Sequence, residues 1–194
     1  MPDWRRELPT LVARVVTLRE LAASDLGPLV DLLSVADATH FGADEPNVEV
    51  AAQQLIDRAP RDRANGVAFT YAITLGATRT FVGLVQARQL DPAFEGAECD
   101  CTIAPSSRGT GVFLEAARLV GSFAFASVGA HRLESRVPLR NGRGNGAMRK
   151  LGAVQEGVLR RSVRYGGEFV DQVLWSMLKD DWGDHWLSIA PRVH

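Results

Sequence analysis

Ile103-Ala104-Pro105-Ser106-Ser107-Arg108-Gly109-Thr110-Gly111-Val112 is the stretch on which the reading of this chain turns. A strand-like run over residues 98–104 stops at Pro105, and a turn with two glycines follows. Val112, Ala116, Leu119, Val120 and Phe123 then recur at helical spacing, which predicts a long helix from near Gly109 to Gly129. Glycines let the backbone curl so that several N–H groups point into one concavity. The unpaired N–H groups at a helix start, at its positive dipole end, favour an anion there. Arg108 adds a full positive charge, and the Lys-Ser/Thr pair of a nucleotide-hydrolysing loop is missing. The chemistry that fits is a cradle for a pyrophosphate. The plainer alternative is a tight turn that needs glycine for its geometry alone.

Working outward, residues 12–18 are rich in β-branched residues and predict a first strand. Ser24-Asp25 can cap a helix through Leu29, Val30 and Leu33, and a second helix is predicted over 48–58. Strands follow at 67–75, 80–90 and 98–104. Beyond the long helix come a strand at 132–138 and a short helix at 146–151 stopped by Gly152. A hairpin of 153–165 and 168–178 turns at Gly166-Gly167. The order β-α-α-β-β-β-α-β-α-β-β predicts an α/β fold with a mixed, mostly antiparallel central sheet and helices on both faces. With no linker or repeat, residues 1–194 read as a single domain.

At 194 residues, 46% hydrophobic and 23% charged, the composition suits a globular chain with a sizeable core and excludes a collagen-like, disordered or disulfide-scaffold protein. The longest uncharged apolar run, residues 119–130, falls short of the roughly 20 residues of a membrane span, and no signal peptide is visible. Cys99 and Cys101 are too constrained for a bridge and lack the partners of a metal site, so a reducing, cytoplasmic setting is expected. The net charge of −1 gives no bulk attraction to nucleic acid or membrane. Its distribution says more. Residues 19–57 hold Glu20, Asp25, Asp31, Asp37, Asp44, Glu45, Glu49 and Asp57 against Arg19 alone. Residues 131–164 hold Arg132, Arg136, Arg140, Arg143, Arg149, Lys150, Arg160, Arg161 and Arg164 against Glu134 and Glu156. Such a pair of regions fits a protein that brings a polyphosphate and an amine to one site. A nucleic-acid module is disfavoured, because Tyr165 is the one aromatic near the basic stretch.

From the loop onward the sequence resembles the GNAT N-acetyltransferases, in particular the branch that acetylates N-terminal amines of ribosomal proteins. The family's Arg/Gln-x-x-Gly-x-Gly/Ala loop reads here Arg108-Gly109-Thr110-Gly111-Val112-Phe113. Glu98 matches an acidic strand position, and Asn141, Leu151-Gly152-Ala153, Glu156-Gly157 and Asp171 follow in order and spacing over residues 12–182. The resemblance implies acetyl-CoA as acyl donor, with Arg108, Gly109, Thr110, Gly111, Val112 and Phe113 around its pyrophosphate. It implies oxyanion donors from the backbone near Thr102 and Ile103, with Ala104 beside them, and contacts from Asn141 to the pantetheine arm. Lys150 and Arg149 are candidates for the phosphates of CoA. For the acceptor it implies a primary amine of a peptide N-terminus, such as that of a ribosomal protein, or of a small cationic molecule. Glu98 is then the expected base, with Asp100 and His40 on the acceptor side. The hairpin bearing Trp175, expected to be exposed, is a candidate homodimer surface. Two positions depart from the pattern: Phe113 replaces a small residue, and Gly144 stands where the branch places a serine near the leaving sulfur.

Two other readings compete. Gly142-Arg143-Gly144-Asn145-Gly146-Ala147 meets the G-x-G-x-x-A spacing of a dinucleotide site, but a hairpin follows it rather than a βαβ unit, and arginines stand where an acid should hold the ribose. A non-catalytic domain that binds acyl-CoA as a sensor would account for Gly144.

Overall fold

The hydrophobic periods of the sequence settle into the expected mixed sheet. The computed structural model describes residues 3–35, 47–76, 79–165 and 167–182. Its strands are β1 (Leu11–Val12), β2 (Val16–Glu20), β3 (Ala68–Leu75), β4 (Phe81–Gln89), β5 (Gly96–Ile103), β6 (Arg132–Pro138), β7 (Val154–Tyr165) and β8 (Glu168–Leu178). Its helices are α1 (Leu26–Val35), α2 (Val48–Ala64), α3 (Val112–Phe123) and α4 (Gly142–Leu151). The strands form one sheet in the order β1-β2-β3-β4-β5-β6-β8-β7, antiparallel throughout except where β5 meets β6. Among the described residues no helix is long and apolar enough to cross a membrane.

β3 and β4 are buried along nearly their whole length because helices cover both of their faces. Leu84 of β4 packs with Leu29, Leu33, Leu55 and Ile56 of α1 and α2. Its neighbour Val85 points the other way, into a larger core with Phe69, Tyr71, Phe123, Leu133 and Trp175. That second core is roofed by α3 through Val112, Ala116, Leu119 and Val120, and by α4 through Met148 and Leu151.

Three elements differ from expectation. The first strand is broken into β1 and β2, because the carboxylate of Glu115 on α3 accepts the N–H groups of Val15 and Val16 at 3.0 and 3.2 Å. The strand before the glycine loop is therefore the fifth, not the fourth. α2 runs on past Pro60 to Ala64, and its last turn is held by Arg63 Nε at 2.8 Å from Glu20. α4 starts at Gly142 rather than Gly146, because Asn141 caps it: the side-chain oxygen accepts from Gly144 N at 2.9 Å.

The parallel pairing of β5 with β6 is short: Gly96↔Arg132, Ala97↔Leu133 and Glu98↔Glu134. Beyond it β5 stays with β4 as far as Ile103, and β6 stays with β8 as far as Pro138. A wedge therefore opens between the two strands. Because they are parallel, α3 and α4 both begin at its open end.

Candidate active site

Strand alternation sorts the residues around the wedge. Cys99, Cys101 and Ile103 of β5 face the large core under α3. Glu98, Asp100 and Thr102 share the opposite face with Leu84, on the side of α1 and α2. Burial pushes the Cys99 thiol up to about 12, with the nearby Asp100 and Glu98 charges adding to it, and pushes Cys101 up as well. Both thiols stay protonated, and they serve as packing.

The backbone groups alternate too. Ala104 N donates to Val82 O of β4 at 2.8 Å. On the other edge, Cys99 O accepts from Ser135 Oγ at 2.7 Å and Ile103 O accepts from Arg108 Nε at 3.0 Å. Even-numbered residues of β5 thus turn to β4 and odd-numbered ones to the wedge. Of the two residues expected to supply an oxyanion donor, Thr102 directs its amide into the ladder with β4. The N–H groups that face the wedge are those of Ile103 and Cys101.

After Ile103 a single turn of 3-10 helix, Pro105–Ser107, leads into Arg108, Gly109, Thr110 and Gly111, all of them exposed. Thr110 Oγ1 donates to Ser107 O at 2.7 Å and braces the turn. Gly109 and Gly111 adopt φ of 82° and 92°, which a side chain would strain. Gly111 is the N-cap of α3, and no side chain caps that helix. The first N–H groups of α3 are therefore left for an outside acceptor. Phe113 packs against the large core, turned away from the loop, so its bulk does not close the cradle.

Asn141, just past the end of β6, uses its side-chain oxygen to cap α4. Gly144 is needed for space: an added Cβ would lie 2.9 Å from Asn141 Nδ2 and 2.9 Å from Val137 Cγ1. The missing serine thus goes with a close approach of α4 to β6. Lys150 is exposed in the last turn of α4, nine residues past Asn141 and so about 13 Å along the helix. Its neighbour Arg149 lies over the Trp175 ring at 5.4 Å. Trp175 itself is 2% exposed, which corrects its expected place on an open hairpin face. His40, with Asp37, Asp44 and Glu45, lies outside the described residues.

Glu98 lies 3.4 Å from Arg136 Nη1, and Glu134 lies 4.0 Å from Arg136 Nη2. Arg132 joins the same face, bonded to Glu134 at 2.8 Å and to Glu156 at 2.7 Å. Those hydrogen bonds, with one from Ser176, hold the Glu156 carboxyl down at about 2. Sequence reasoning missed Arg136 as the partner of Glu98, though their register two positions apart on adjoining strands was its one signal. It also missed Asn145, which is 4% exposed and fully engaged. Asn145 Nδ2 donates to Pro138 O at 3.0 Å and Asn141 O at 2.9 Å, while Oδ1 accepts from Trp175 Nε1 at 2.9 Å. The glycine run that mimics a dinucleotide fingerprint is a helix start held in place by this residue.

The fold is shared by known proteins. A GNAT-family acetyltransferase from Bacillus anthracis matches with a TM-score of 0.75 at 17% identity, over 88% of this chain and 99% of that one. The ribosomal-protein-S5-alanine acetyltransferase from Vibrio fischeri matches with a TM-score of 0.74 at 18% identity, over 90% and 98%. At these identities the likeness is one of fold. In sequence, "Probable N-acetyltransferase YjcK" of Bacillus subtilis (strain 168) is 31% identical over 124 residues, 63% of this chain and 59% of that protein. The match therefore spans less than two thirds of that relative's length. The model of the acetyltransferase (GNAT) domain matches residues 16–154. The chain belongs to the GNAT acetyltransferase family.

Proposed function

We propose that this protein acetylates the primary amine of a peptide N-terminus, with acetyl-CoA as donor and with donor and acceptor bound together. The observation that carries the reading is the wedge after Glu98 and Glu134, which exits beside the uncapped start of α3. The residues present fit an elongated donor with a diphosphate. Gly109 and Gly111 leave the loop open, and Phe113 is turned inward. Bound acetyl-CoA supplies the activated acetyl group.

The chain's own groups then have separate tasks. The N–H groups from Gly109 to Phe113 hold the diphosphate, with Arg108 fixed on Ile103 O behind them. Asn141 Nδ2 donates to the arm that runs into the wedge. The N–H of Ile103, with that of Cys101, stabilises the negative charge that grows on the acetyl oxygen. An α-amino group, with a pKa of about 8, must first lose a proton, and Glu98 takes it, with Arg136 holding the carboxylate in place. As the C–N bond forms and the C–S bond breaks, the nitrogen gives up its second proton to water, and that water returns a proton to the departing sulfur. Gly144 offers no hydroxyl, and the Tyr71 hydroxyl is committed to Pro9 O at 3.0 Å.

Thermal unfolding with CoA, acetyl-CoA, succinyl-CoA and NAD tests the donor. At 100 times its Kd a ligand adds about 2.7 kcal/mol. A shift with the CoA compounds is expected, and a shift with NAD alone, or none, overturns the reading. Release of free thiol with a panel of amines then tests turnover and separates the enzyme from a sensor. Glu98→Gln should lower kcat by about ten- to 1,000-fold and leave acetyl-CoA affinity in place. An unchanged kcat removes Glu98 as base.

A further inference from the structure

We infer that the acceptor is an extended peptide with acidic side chains soon after its reactive amine, and that the arginines of the β7–β8 hairpin receive them. The inference rests on the peptide-acceptor reading above and adds the acceptor's own chemistry.

Several arginines already face a carboxylate. Arg19 meets Asp25 at 2.7 Å, Arg63 meets Glu20 at 2.8 Å and Arg88 meets Asp62 at 3.3 Å, while Arg132 and Arg136 share Glu98, Glu134 and Glu156. Arg143, Arg160, Arg161 and Arg164 are different. All four are exposed, and among the described residues none has a carboxylate within 4.0 Å of its guanidinium. Of the two acids of the hairpin, Asp171 accepts from the backbone N–H of Arg161 at 2.8 Å, and Glu168 pairs in register with Tyr165, next to Arg164. Arg164 lies over the ring of Phe169 at 5.9 Å, and that ring is 63% exposed.

Their placement is the second part. β6 ends at Pro138, which pairs with Gln172, and Gln172 pairs with Leu159. β7 beyond Leu159 and β8 before Gln172 therefore project past β6, at the end where the wedge opens. The register breaks between Leu159 and Val163, where Arg161 takes a φ of 49°, so the hairpin bends as it leaves the sheet. Arg143 sits in the first turn of α4 at the same end. Arg164 pairs with Phe169, three residues from Gln172 along β8, a rise of about 10 Å, and β7 is two strand spacings, about 10 Å, from β6. The distance from the wedge to the far arginine is thus about 14 Å, the length of about four extended residues. A small amine in the wedge does not reach that far, and a peptide chain does.

The acidic side of the molecule agrees. Glu20 is taken by Arg63 and by Leu8 N, and Asp25 is 3% exposed beneath Arg19. Both are neutralised inside the fold, so they give no pull on a polycationic acceptor. Among the described residues at the hairpin end, Arg143, Arg160, Arg161 and Arg164 outnumber the acids Glu168 and Asp171.

The test uses the full chain with acetyl-CoA and three peptides that share a first residue and differ afterwards in carrying acidic, neutral or basic side chains. The acidic peptide is expected to exceed the neutral one in kcat/KM by about ten-fold or more at low salt, with the margin shrinking at physiological salt. A triple variant, Arg160→Glu, Arg161→Glu and Arg164→Glu, should reverse the order, and the glutamine triple should level it. In both, the KM for acetyl-CoA should be unchanged. The glutamine triple, checked by its Tm, carries the test if charge reversal unfolds the hairpin. Equal kcat/KM for all three peptides overturns the inference. So does a rise in KM for acetyl-CoA in the triple variants, which would give the arginines to the donor's phosphates. Retention of a short RNA by the wild type and not by the variants, without peptide preference, also overturns it. Absence of turnover with every amine sinks the parent reading together with this one, a pattern distinct from turnover without preference.

Discussion

α3 and α4 begin as a matched pair, each following one of two parallel strands that part after Glu98 and Glu134, and each rich in glycine. Their N–H groups nonetheless meet different fates. At α3 the cap is Gly111 at φ 92°, with no side chain bonded to the helix start. At α4 the Asn141 oxygen already accepts from Gly144 N, and Asn145 ties the first turn to Pro138 O and to Trp175. Glycine also serves two ends. At 109 and 111 it supplies a backbone angle in open space, and at 144 it makes room. A helix dipole is common to both starts. What separates an anion site from a structural joint is whether a side-chain oxygen has taken the amides first.

Four changes probe that difference. Asn145→Leu, at the closed start, orphans the buried Trp175 N–H and removes the Nδ2 bonds to Pro138 O and Asn141 O, which keep their backbone donors. The expected cost is about 2–4 kcal/mol, or a Tm lower by about 5–15 °C, with acetyl-CoA affinity little changed below the new Tm. A weakened affinity with an intact Tm would break the contrast. Gly111→Val, at the open start, meets no atom within 4 Å, so its effect is backbone strain alone. A strain of about 1–3 kcal/mol in the binding conformation predicts an acetyl-CoA Kd raised by about ten- to 100-fold, readable by calorimetry. Asn141→Ala removes a cap worth about 0.5–2 kcal/mol, whereas Asn141→Asp keeps the cap and loses the amide donor. Both should raise the KM for acetyl-CoA, and the alanine variant alone should lower Tm. Equal Tm values would show that the cap at α4 does not hold the helix.

The smallest effect belongs to Glu156, on the sheet that supports α4. Its carboxyl is lowered from 4.5 to about 2 by Arg132, so the stability it brings is present above its ordinary value and fades as pH falls toward about 2. The side chain is 37% exposed, and solvent weakens the pair. Unfolding of Glu156→Gln between about pH 5 and pH 2 should show a slightly shallower loss of stability than the wild type. An identical slope would mean that Glu156 adds nothing to acid sensitivity.

Much of the site was legible because it is local. The loop from Arg108 to Val112 is a run of neighbours whose geometry follows from glycine and from the change of period after Pro105. The pairing that places Glu98 and Asp100 on one face follows from strand alternation. Asn145 was not legible, because a buried asparagine looks like any polar loop residue until Trp175, thirty positions on, comes within 2.9 Å. Nor was the balance of charge. The acidic stretch from 19 to 57 loses Glu20 and Asp25 to arginines, while among the described residues the hairpin arginines gain no carboxylate partner.

The sequence by itself therefore determined the order of strands and helices, the mixed sheet, the helices on both faces and the glycine loop, since each depends on residues within a few positions of one another. The tertiary structure alone decided that Glu115 breaks the first strand from α3, that Thr102 turns its amide to β4, and that Arg136 holds Glu98. It alone decided which of two glycine-rich helix starts stays open. Hydrogen bonds and ion pairs are directional contacts over a few ångströms, and only the folded chain brings distant residues that close.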